Sequence, residues 1–361
     1  MSKLNVMANN TKNFKLHLEI MRIIAIFFVI FNHTGQEGFF IFYNYESDTL
    51  SYWIYMALSV FCKFSVPLFF AVSGALLLTK EEGIKKIFTH RVFRMISIII
   101  LFSFWYYIHC LFLTGENFNF LDFLTKFILY NGYYWNASLW FLYAFTIYLI
   151  LLPFLREIIQ HLTKDLCCYA ITIHFIFMSL FPAIYYSFGG EFYNFSLFEK
   201  SAFLSIFPIL GFYLEYKFPM QTLNLKKTLY LWAINIITII ITCFMTHLKS
   251  QITDIHIEDF HNTFVVINCI TIYITIKYIF YKINFSELIS KILISVGRCT
   301  LGIYLFHISI MVFLSNMGYF SFFHKHLNHI LTIFIYCVLV FLIGLLFTLI
   351  LKKIPLIRRL I

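Results

Sequence analysis

Charged side chains are scarce in this sequence. Asp, Glu, Lys and Arg make up only 12% of the 361 residues, whereas 61% of them are hydrophobic. A soluble domain carries roughly 25% charged residues, so most of this protein's surface must face something other than water. Proline and glycine are also few, at 6 and 13 residues, which leaves little room for a loop-rich or β-rich fold. The composition excludes an ordinary soluble domain and indicates a membrane protein.

Motifs for metal binding are also missing. The eight cysteines lie in or beside apolar segments and form no Cys-x-x-Cys pair, which argues against a disulfide framework or a thiolate metal site. Five histidines lie in two polar loops, and they are His256, His261, His324, His326 and His329. Their spacing matches no zinc motif, so we expect no metal.

Long apolar runs recur along the chain. A bilayer core about 30 Å thick is crossed by about 20 apolar residues in a helix. Ten candidate spans lie near residues 20–42, 53–79, 92–113, 135–155, 166–188, 198–216, 228–247, 262–281, 292–315 and 329–351. Because the runs do not alternate, they favour helices over a barrel. The sequence predicts an all-α, polytopic transmembrane bundle, a single domain over 1–361 with residues 1–17 as a tail. The first run has no cleavage site and is expected to be a signal anchor.

The net charge of +10 follows this pattern of spans and does not indicate nucleic-acid binding. When Lys and Arg are assigned to alternating loops, 21 of the 27 fall on the side that holds the N-terminus and four on the other side. Cytoplasmic loops are enriched in Lys and Arg, so both termini are predicted to be cytoplasmic.

Two ionisable residues lie in the first candidate span, Arg22 and His33. Eleven positions correspond to three helical turns plus about 20°, and to about 16 Å along the axis, so both residues lie on one face. Glu19, three positions before Arg22, is placed to pair with it. Ionisable residues inside a membrane are costly and often functional. The alternative is that Arg22 snorkels to the inner interface while His33 caps the helix at the outer one.

The second span contains Pro67 and Ser73-Gly74. Proline removes a backbone donor and bends a helix, and a small-residue pair permits close helix contact. On its own this pattern predicts a kinked packing helix.

A basic segment precedes the third span and ends in Arg91 and Arg94, which are predicted to lie on its first turn. Two guanidinium groups at a helix N-terminus oppose the macrodipole unless an anion binds there. A phosphate site is therefore one interpretation. Anchoring to anionic lipid is the other.

Two later helices carry further candidates. Trp140 and Tyr143 open the fourth span, where interfacial aromatic residues are common. Thr300, Tyr304 and His307 form one polar stripe on the ninth span, because they follow i, i+4, i+7 spacing. An interhelical hydrogen-bond network is the simpler interpretation of that stripe.

Taken in order, these pieces resemble the acyltransferase-3 family of membrane enzymes. Between residue 18 and about residue 310 the chain carries Arg22 and His33 with ten residues between them, Ser65-x-Pro67-Leu68-Phe69-Phe70-x-x-Ser73-Gly74, Arg91-x-x-Arg94, Leu139-Trp140-Phe141-Leu142 and Gly302-x-Tyr304-Leu305-x-His307. In size the chain is similar to the WecH-like branch, whose members O-acetylate surface polysaccharides. It departs from the family in having Glu19 where many members carry Asp. We also expect no C-terminal hydrolase-like domain and hence no two-domain relay.

The resemblance implies an enzyme of the cell (cytoplasmic) membrane. Such an enzyme moves an acyl group, expected to be acetyl, from cytoplasmic acyl-CoA to a hydroxyl of a cell-surface or lipid-linked glycan. It implies His33 as base or acyl carrier, Arg22 as a guide for the donor, and Arg91 and Arg94 as donor-binding residues. Ser73, Trp140, Tyr143, Tyr304 and His307 are weaker candidates for substrate binding. Expected partners are the saccharide acceptor and membrane lipids, and self-association is left open.

The main alternative is a polysaccharide exporter or small-molecule transporter of similar topology. Transporters couple ions through intramembrane charges, and Glu19 is the main acid the sequence offers within a span. A third alternative, a sensing module, is usually fused to other domains. The scarcity of intramembrane acids favours the enzyme.

Overall fold

The computed structural model describes residues 11–129, 137–181, 183–184, 204–250, 262–283, 285–358 and 360. Within these ranges the regular structure is helical, with no strand, which confirms the predicted all-α class. The α-helices in these ranges are α1 (Thr11–Asn32), α2 (Leu50–Cys62), α3 (Ser65–Leu77), α4 (Ile84–Lys86), α5 (Phe93–Thr114), α6 (Phe120–Leu129), α7 (Trp140–Gln160), α8 (Lys164–Phe175), α9 (Ile206–Phe212), α10 (Leu225–Ser250), α11 (Val265–Lys282), α12 (Glu287–Gly297), α13 (Thr300–Asn316), α14 (Tyr319–Phe323), α15 (His329–Leu351) and α16 (Pro355–Arg358).

Shorter helical turns join or extend several of these helices. Stretches of π-helix follow α4 at Ile87–Val92, α8 at Ile176–Leu180 and α9 at Tyr213–Lys217. Turns of 3-10 helix occupy Gly35–Glu37, Ile41–Asn44, Ala137–Leu139 and Met220–Thr222.

Six helical segments in the described part of the chain are long and apolar enough to cross a membrane, and a bent pair, α12 with α13, makes a seventh. The six are residues 50–77, 84–114, 140–160, 225–250, 265–282 and 329–351. Helix α1 has the length of a span but carries Lys15, Glu19 and Arg22. The predicted total of ten, and the cytoplasmic position of both termini, stay predictions.

Helix α1 is the centre of the bundle. It packs against α3, α11, α12, α13 and α15. Its side chains Leu18, Met21, Ala25, Ile26 and Ile30 are fully buried. A helix that is apolar on several faces is typical of such a surrounded position. Residues carried by α1 are therefore placed in the interior of the protein.

Three predicted boundaries need correction or refinement. The first span was expected to reach residue 42, but α1 ends at Asn32, and Gly35 follows in the left-handed region with a φ of 56°. The third was expected to begin near residue 92, but helical winding begins at Ile84, so Arg91 and Arg94 lie well inside it. Near Pro67 the helix is interrupted by a turn at Lys63 and Phe64, between α2 and α3, since Pro67 cannot donate to the carbonyl of Lys63.

Glycines bring α3 and α9 into backbone contact. A Cβ added to Gly74 would collide with the backbone of Pro208, and one added to Gly211 would collide with the backbone of Ala71. Small residues permit this approach, as the Ser73-Gly74 pair predicted. The contact holds the cavity wall formed by α3 in place.

Candidate active site

Two histidines from distant parts of the chain meet beside the end of α1. His33 follows the last residue of α1, and His307 lies on α13. Nε2 of His307 is 3.4 Å from Nδ1 of His33, and the ring centroids are 4.9 Å apart at 63°. His307 is fully buried, whereas His33 is partly exposed. The pair thus joins a buried imidazole to one that a substrate can reach.

Backbone carbonyls orient both rings. Nδ1 of His33 donates to the carbonyl of Val29 at 2.8 Å, and Nδ1 of His307 donates to the carbonyl of Tyr304. A carbonyl only accepts hydrogen bonds, so these contacts assign the neutral rings as Nδ1–H tautomers. Nε2 is then the basic atom of each ring. Nε2 of His307 faces the Nδ1–H of His33, and this leaves Nε2 of His33 as the atom suited to take a proton.

A cavity of about 290 Å³ lies next to residues that contact this pair, although neither histidine lines it. Val29 and Tyr304 both line it. His33 bonds to the carbonyl of Val29, and the Tyr304 ring stacks on His307 with centroids 5.4 Å apart. The Tyr304 hydroxyl donates to the carbonyl of Ser138, which holds the ring against α7. The cavity wall therefore includes two residues that contact the histidine pair.

The rest of the cavity wall divides into two parts. The apolar part is formed by Val66, Phe69, Val72, Leu76, Leu77, Met95, Phe141, Leu142, Phe145, Leu149 and Leu301. The basic part is formed by Arg22, His90, Arg91, Arg94 and Arg298. Ser73 and Thr300 also line it. A narrow apolar chamber with a cationic end suits a ligand that has an anionic head and an uncharged arm.

The predicted pair of Glu19 and Arg22 is present. Nη1 of Arg22 donates to Oε2 of Glu19 at 3.0 Å, and both side chains are largely buried. Gly297 packs directly against the Glu19 carboxylate, and a Cβ at that position would collide with it. Pairing keeps the guanidinium of Arg22 inside the bundle, at the cavity wall, where a lone charge would be costly.

Arg91 and Arg94 both line the cavity but have different partners. Arg91 binds Glu82 through two hydrogen bonds, Nε to Oε2 at 2.9 Å and Nη2 to Oε1 at 2.7 Å. Arg156 adds a contact from the other side, Nη2 to Oε2 of Glu82 at 3.1 Å. Nε of Arg94 instead donates to the carbonyl of Leu360 at 2.9 Å. The two arginines form no matched pair, and only Arg94 lies on the first turn of α5, since Arg91 belongs to the π-helical stretch before it.

The carboxylate of Glu82 is held in its charged form. Hydrogen bonding from Arg91, supported by Arg156, lowers the pKa of Glu82 to about 2. Bidentate arginine–carboxylate pairs of this type are among the strongest polar contacts in proteins. Sequence reasoning missed both Glu82 and Arg156, because they lie 74 positions apart and neither belongs to a local motif. Together they tie the loop before α4 to α7.

The other predicted residues divide between the cavity and its surroundings. Ser73 and Tyr304 line the cavity, and His307 lies behind Tyr304. Trp140 and Tyr143 do not line it, whereas their neighbours Phe141 and Leu142 do. On α7 the cavity is therefore lined by the two residues that lie between Trp140 and Tyr143 in the sequence. Their roles in substrate binding stay predictions.

A buried polar cluster lies outside the cavity. Glu215, in the π-helical turn after α9, accepts hydrogen bonds from His17 at 3.0 Å and from Tyr273 at 2.8 Å. Lys277 lies 3.5 Å from the same carboxylate oxygen and donates to two carbonyls of that turn, those of Leu214 and Glu215. The charge count treated Lys277 as a loop residue, but it lies inside α11. The sequence signal for this cluster was an acidic residue in one apolar run, Glu215, and a basic residue in another, Lys277.

No group of three potential metal ligands comes together in the described ranges. His324 lies 3.9 Å from a carboxylate oxygen of Glu37 and contacts His329 edge to face, with ring centroids 4.5 Å apart. His256 and His261, of the other polar loop, lie outside the described residues.

A family model described as an acyltransferase domain matches residues 16–349. No curated protein and no solved structure matches the chain. The matched range includes the histidine pair, the cavity and every basic residue on the cavity wall.

Proposed function

The chain belongs to the acyltransferase-3 family of membrane proteins, and from this premise we propose that it transfers an acyl group from cytoplasmic acyl-CoA to a hydroxyl of a glycan. The acceptor is a cell-surface or lipid-linked saccharide, as in the WecH-like polysaccharide O-acetyltransferase branch. The family match indicates acyltransferase activity, and the donor and the acceptor are part of the proposal.

One observation carries the proposal. One cavity has a basic end and an apolar wall. Val29 and Tyr304 line it, and they contact His33 and His307. Acyl-CoA has the matching shape, with phosphates at one end and a thioester at the end of a slender arm. Arg94 binds the phosphate end and Arg22 guides the arm, while Arg91 is held by Glu82 at the same wall. This arrangement brings the thioester towards His33.

His33 supplies the chemistry. In the direct route, Nε2 takes the proton of the acceptor hydroxyl while the hydroxyl oxygen attacks the thioester carbonyl. The carbon–sulfur bond breaks, and the departing thiolate takes the proton back from the imidazolium. In the alternative route, Nε2 attacks the carbonyl and the thiolate leaves. The acceptor oxygen then attacks the acyl carbon, the nitrogen–carbon bond breaks, and the hydroxyl proton passes to the thiolate. Both routes use the same nitrogen, which stays unprotonated because the carbonyl of Val29, with His307 as a longer second contact, keeps the proton on Nδ1.

We infer that the acyl group is short and propose acetyl. The cavity of about 290 Å³ is small for a ligand site, and Tyr304 and Phe141, in edge-to-face contact at 5.3 Å, border it near the histidines. A longer acyl chain would have to displace these rings. In this proposal the acceptor approaches His33 from its partly exposed side, and Trp140 and Tyr143 on α7 are candidate contacts for it.

The proposal includes an orientation in the cell membrane. We propose ten spans with both termini in the cytoplasm, because the strong Lys and Arg asymmetry extends over the whole chain. Helix α1 counts as a span because its Glu19–Arg22 pair is neutralised inside the bundle. With this orientation the basic end of the cavity faces the cytoplasm, where acyl-CoA is found.

The buried Glu215 cluster is the one observation that favours the exporter alternative. Exporters couple transport to intramembrane charges, and Glu215 is such a charge. However, Glu215 does not line the cavity, and His17, Tyr273 and Lys277 contact it on several sides. These contacts are those of a packed structural cluster, which favours the enzyme.

The test uses labelled acetyl-CoA and everted membrane vesicles, whose cytoplasmic face is outward. Wild-type protein is expected to transfer label to the glycan fraction. His33→Ala is expected to lower transfer by about 10²–10⁴-fold, the usual effect of losing a general base, while acetyl-CoA binding is kept. Arg22→Ala is expected to lower both transfer and binding.

His326→Ala serves as the matched control, because His326 is an exposed histidine between α14 and α15. It should transfer label at the wild-type rate. Full glycan acylation by the His33→Ala protein would contradict the proposed role. Absence of acetyl-CoA binding by the wild-type protein would favour the exporter.

A further inference from the structure

A second depression adjoins the basic end of the cavity and is larger. It has a volume of about 660 Å³ and carries five basic side chains, which are Arg94, Lys291, Arg298, Lys352 and Arg358. Arg94 and Arg298 line both this depression and the cavity. We call it the basic groove. The cavity and the groove therefore meet at two arginines.

The charges of the basic groove are poorly balanced by the protein. No acidic residue lines it in the described ranges. Lys291 pairs with Glu287 at 3.2 Å, but both side chains are 72% exposed, so the pair is weak. Arg94 and Lys352 donate to the carbonyls of Leu360 and Arg298, which orient the side chains without neutralising them.

The two arginines on the other side of the cavity behave differently. Arg22 has Glu19 as its partner, and Arg91 has Glu82. The structure therefore separates the basic residues into two neutralised arginines on the cavity wall and a cationic set in the groove. A concave surface lined by one sign of charge concentrates the positive potential and attracts polyanions.

We propose that the basic groove binds the nucleotide end of the donor, with its pyrophosphate at Arg94 and Arg298 and its 3′-phosphate at Lys291, Lys352 and Arg358. This inference rests on the proposed function, because it takes acyl-CoA as the donor. It also rests on the order in which the groups of acyl-CoA are bonded. The arm that carries the thioester is joined to the pyrophosphate, and the 3′-phosphate lies beyond the pyrophosphate on the ribose.

The order of the basic residues matches the order of the phosphates. Arg94 and Arg298 lie where the cavity and the groove meet, and the three remaining cations belong to the groove alone. Arginine suits the pyrophosphate through its planar set of donors, and lysine binds phosphate as a point charge. Arg91 then acts indirectly, by holding Glu82 and the loop before α4.

The test compares coenzyme A with dephospho-coenzyme A, which lacks only the 3′-phosphate. Binding of each is measured by calorimetry on the full-length protein in detergent. Wild type is expected to bind coenzyme A at least about tenfold more tightly, the effect of one charge-assisted contact. Lys352→Gln is expected to remove most of this preference and to leave dephospho-coenzyme A binding within about twofold of wild type.

Two further variants make the result specific. Lys291→Gln changes an exposed side chain that the fold does not need, and it should also reduce the preference. Lys353→Gln changes the adjacent exposed lysine, which does not line the groove, and it should bind both ligands as wild type does.

A lipid headgroup offers the same phosphate chemistry, so a second arm uses nanodiscs of phosphatidylglycerol or phosphatidylcholine. Equal binding of the two coenzymes by wild type would overturn the groove assignment while the proposed function stands. Loss of phosphatidylglycerol retention in Lys352→Gln, with the coenzyme preference intact, would assign the groove to lipid and overturn it as well. Absence of binding of either coenzyme by wild type would instead count against the proposed function itself.

Discussion

At the scale of single residues, the arrangement of His33 and His307 depends on two backbone carbonyls. Each ring gives its Nδ1 proton to a carbonyl three or four residues earlier in its own chain segment, those of Tyr304 and Val29. The proton position of both rings is thereby set before any substrate binds. This pre-orientation is what a catalytic base requires, because a ring in the other tautomer would present a proton to the acceptor hydroxyl.

His307 is expected to be a positioning residue for His33. In His307→Phe, the Nδ1–H of His33 keeps the carbonyl of Val29 at 2.8 Å but loses its longer contact with Nε2 of His307 at 3.4 Å, so the imidazolium formed during transfer is less stable. A hydrogen bond to a charged group contributes about 1.5–3 kcal/mol and a long contact contributes the lower value, so kcat should fall roughly tenfold with KM for acetyl-CoA nearly unchanged. Steady-state kinetics on vesicles measures both constants.

A conservative variant distinguishes this role from a loss of packing. The amide oxygen of His307→Gln can still accept from His33, so its kcat should recover part of the loss. Equal defects in the Phe and Gln variants, accompanied by a raised KM, would indicate that His307 only fills space beside Tyr304.

At the scale of secondary-structure elements, the cavity depends on how closely α3 approaches α9. The wall residues Val66, Phe69, Val72 and Ser73 all lie on α3, on or near the turns that contact α9 through Gly74. Packed interiors have little free volume, so a change in this contact must move a helix axis. A displacement of α3 would change the width of the chamber that leads to the histidines.

Gly74→Ala is expected to destabilise the protein, because its Cβ would overlap the backbone of Pro208. Overpacking of this kind costs about 1–3 kcal/mol. The melting temperature in detergent should fall, and acetyl-CoA binding should weaken with it. Gly83→Ala is the matched control, since no atom lies within 4 Å of its added Cβ and it should melt as wild type does. Equal melting temperatures for the two variants would show that α3 and α9 adjust freely.

At the scale of the whole molecule, the basic end of the cavity, the basic groove and the Glu82 cluster all lie at one end of the bundle. Arg22 lies at the middle of α1, Arg91 and Arg94 lie in the first half of the helical run from Ile84, and Arg156 lies near the end of α7. His33 lies just past the other end of α1. The molecule is thus polarised along the helix axes, with cations at one end and the histidine pair towards the other.

This polarity gives a topology prediction. Reporter fusions at Glu82 and Lys164 are expected to be cytoplasmic, and fusions at Asn117 and Asp254 to be outside, although Asp254 lies beyond the described residues. The physical reason is the retention of Lys- and Arg-rich loops on the cytoplasmic side. Paired alkaline phosphatase and fluorescent-protein fusions measure the two outcomes. A cytoplasmic signal at Asp254 would exclude the ten-span arrangement.

The sequence alone determined the features that depend on neighbours along the chain. Apolar runs indicated membrane helices, because the bilayer demands length and composition before any tertiary contact forms. The Glu19–Arg22 pair was predicted correctly, because residues three apart in a helix are always adjacent. The stripe of Thr300, Tyr304 and His307 was recognised for the same reason, and its first two members line the cavity.

Only the tertiary structure decided which helices face one another and at what rotation. His33 and His307 are 274 residues apart, and Glu82 joins an arginine nine residues away to one 74 residues away. Periodicity gives the faces of a helix but not the partner of each face, because that partner is selected by the packing of many apolar side chains and by close contacts such as the one at Gly74. The separation of the basic residues into neutralised and cationic sets arises from the same packing, and no local pattern in the sequence carries it.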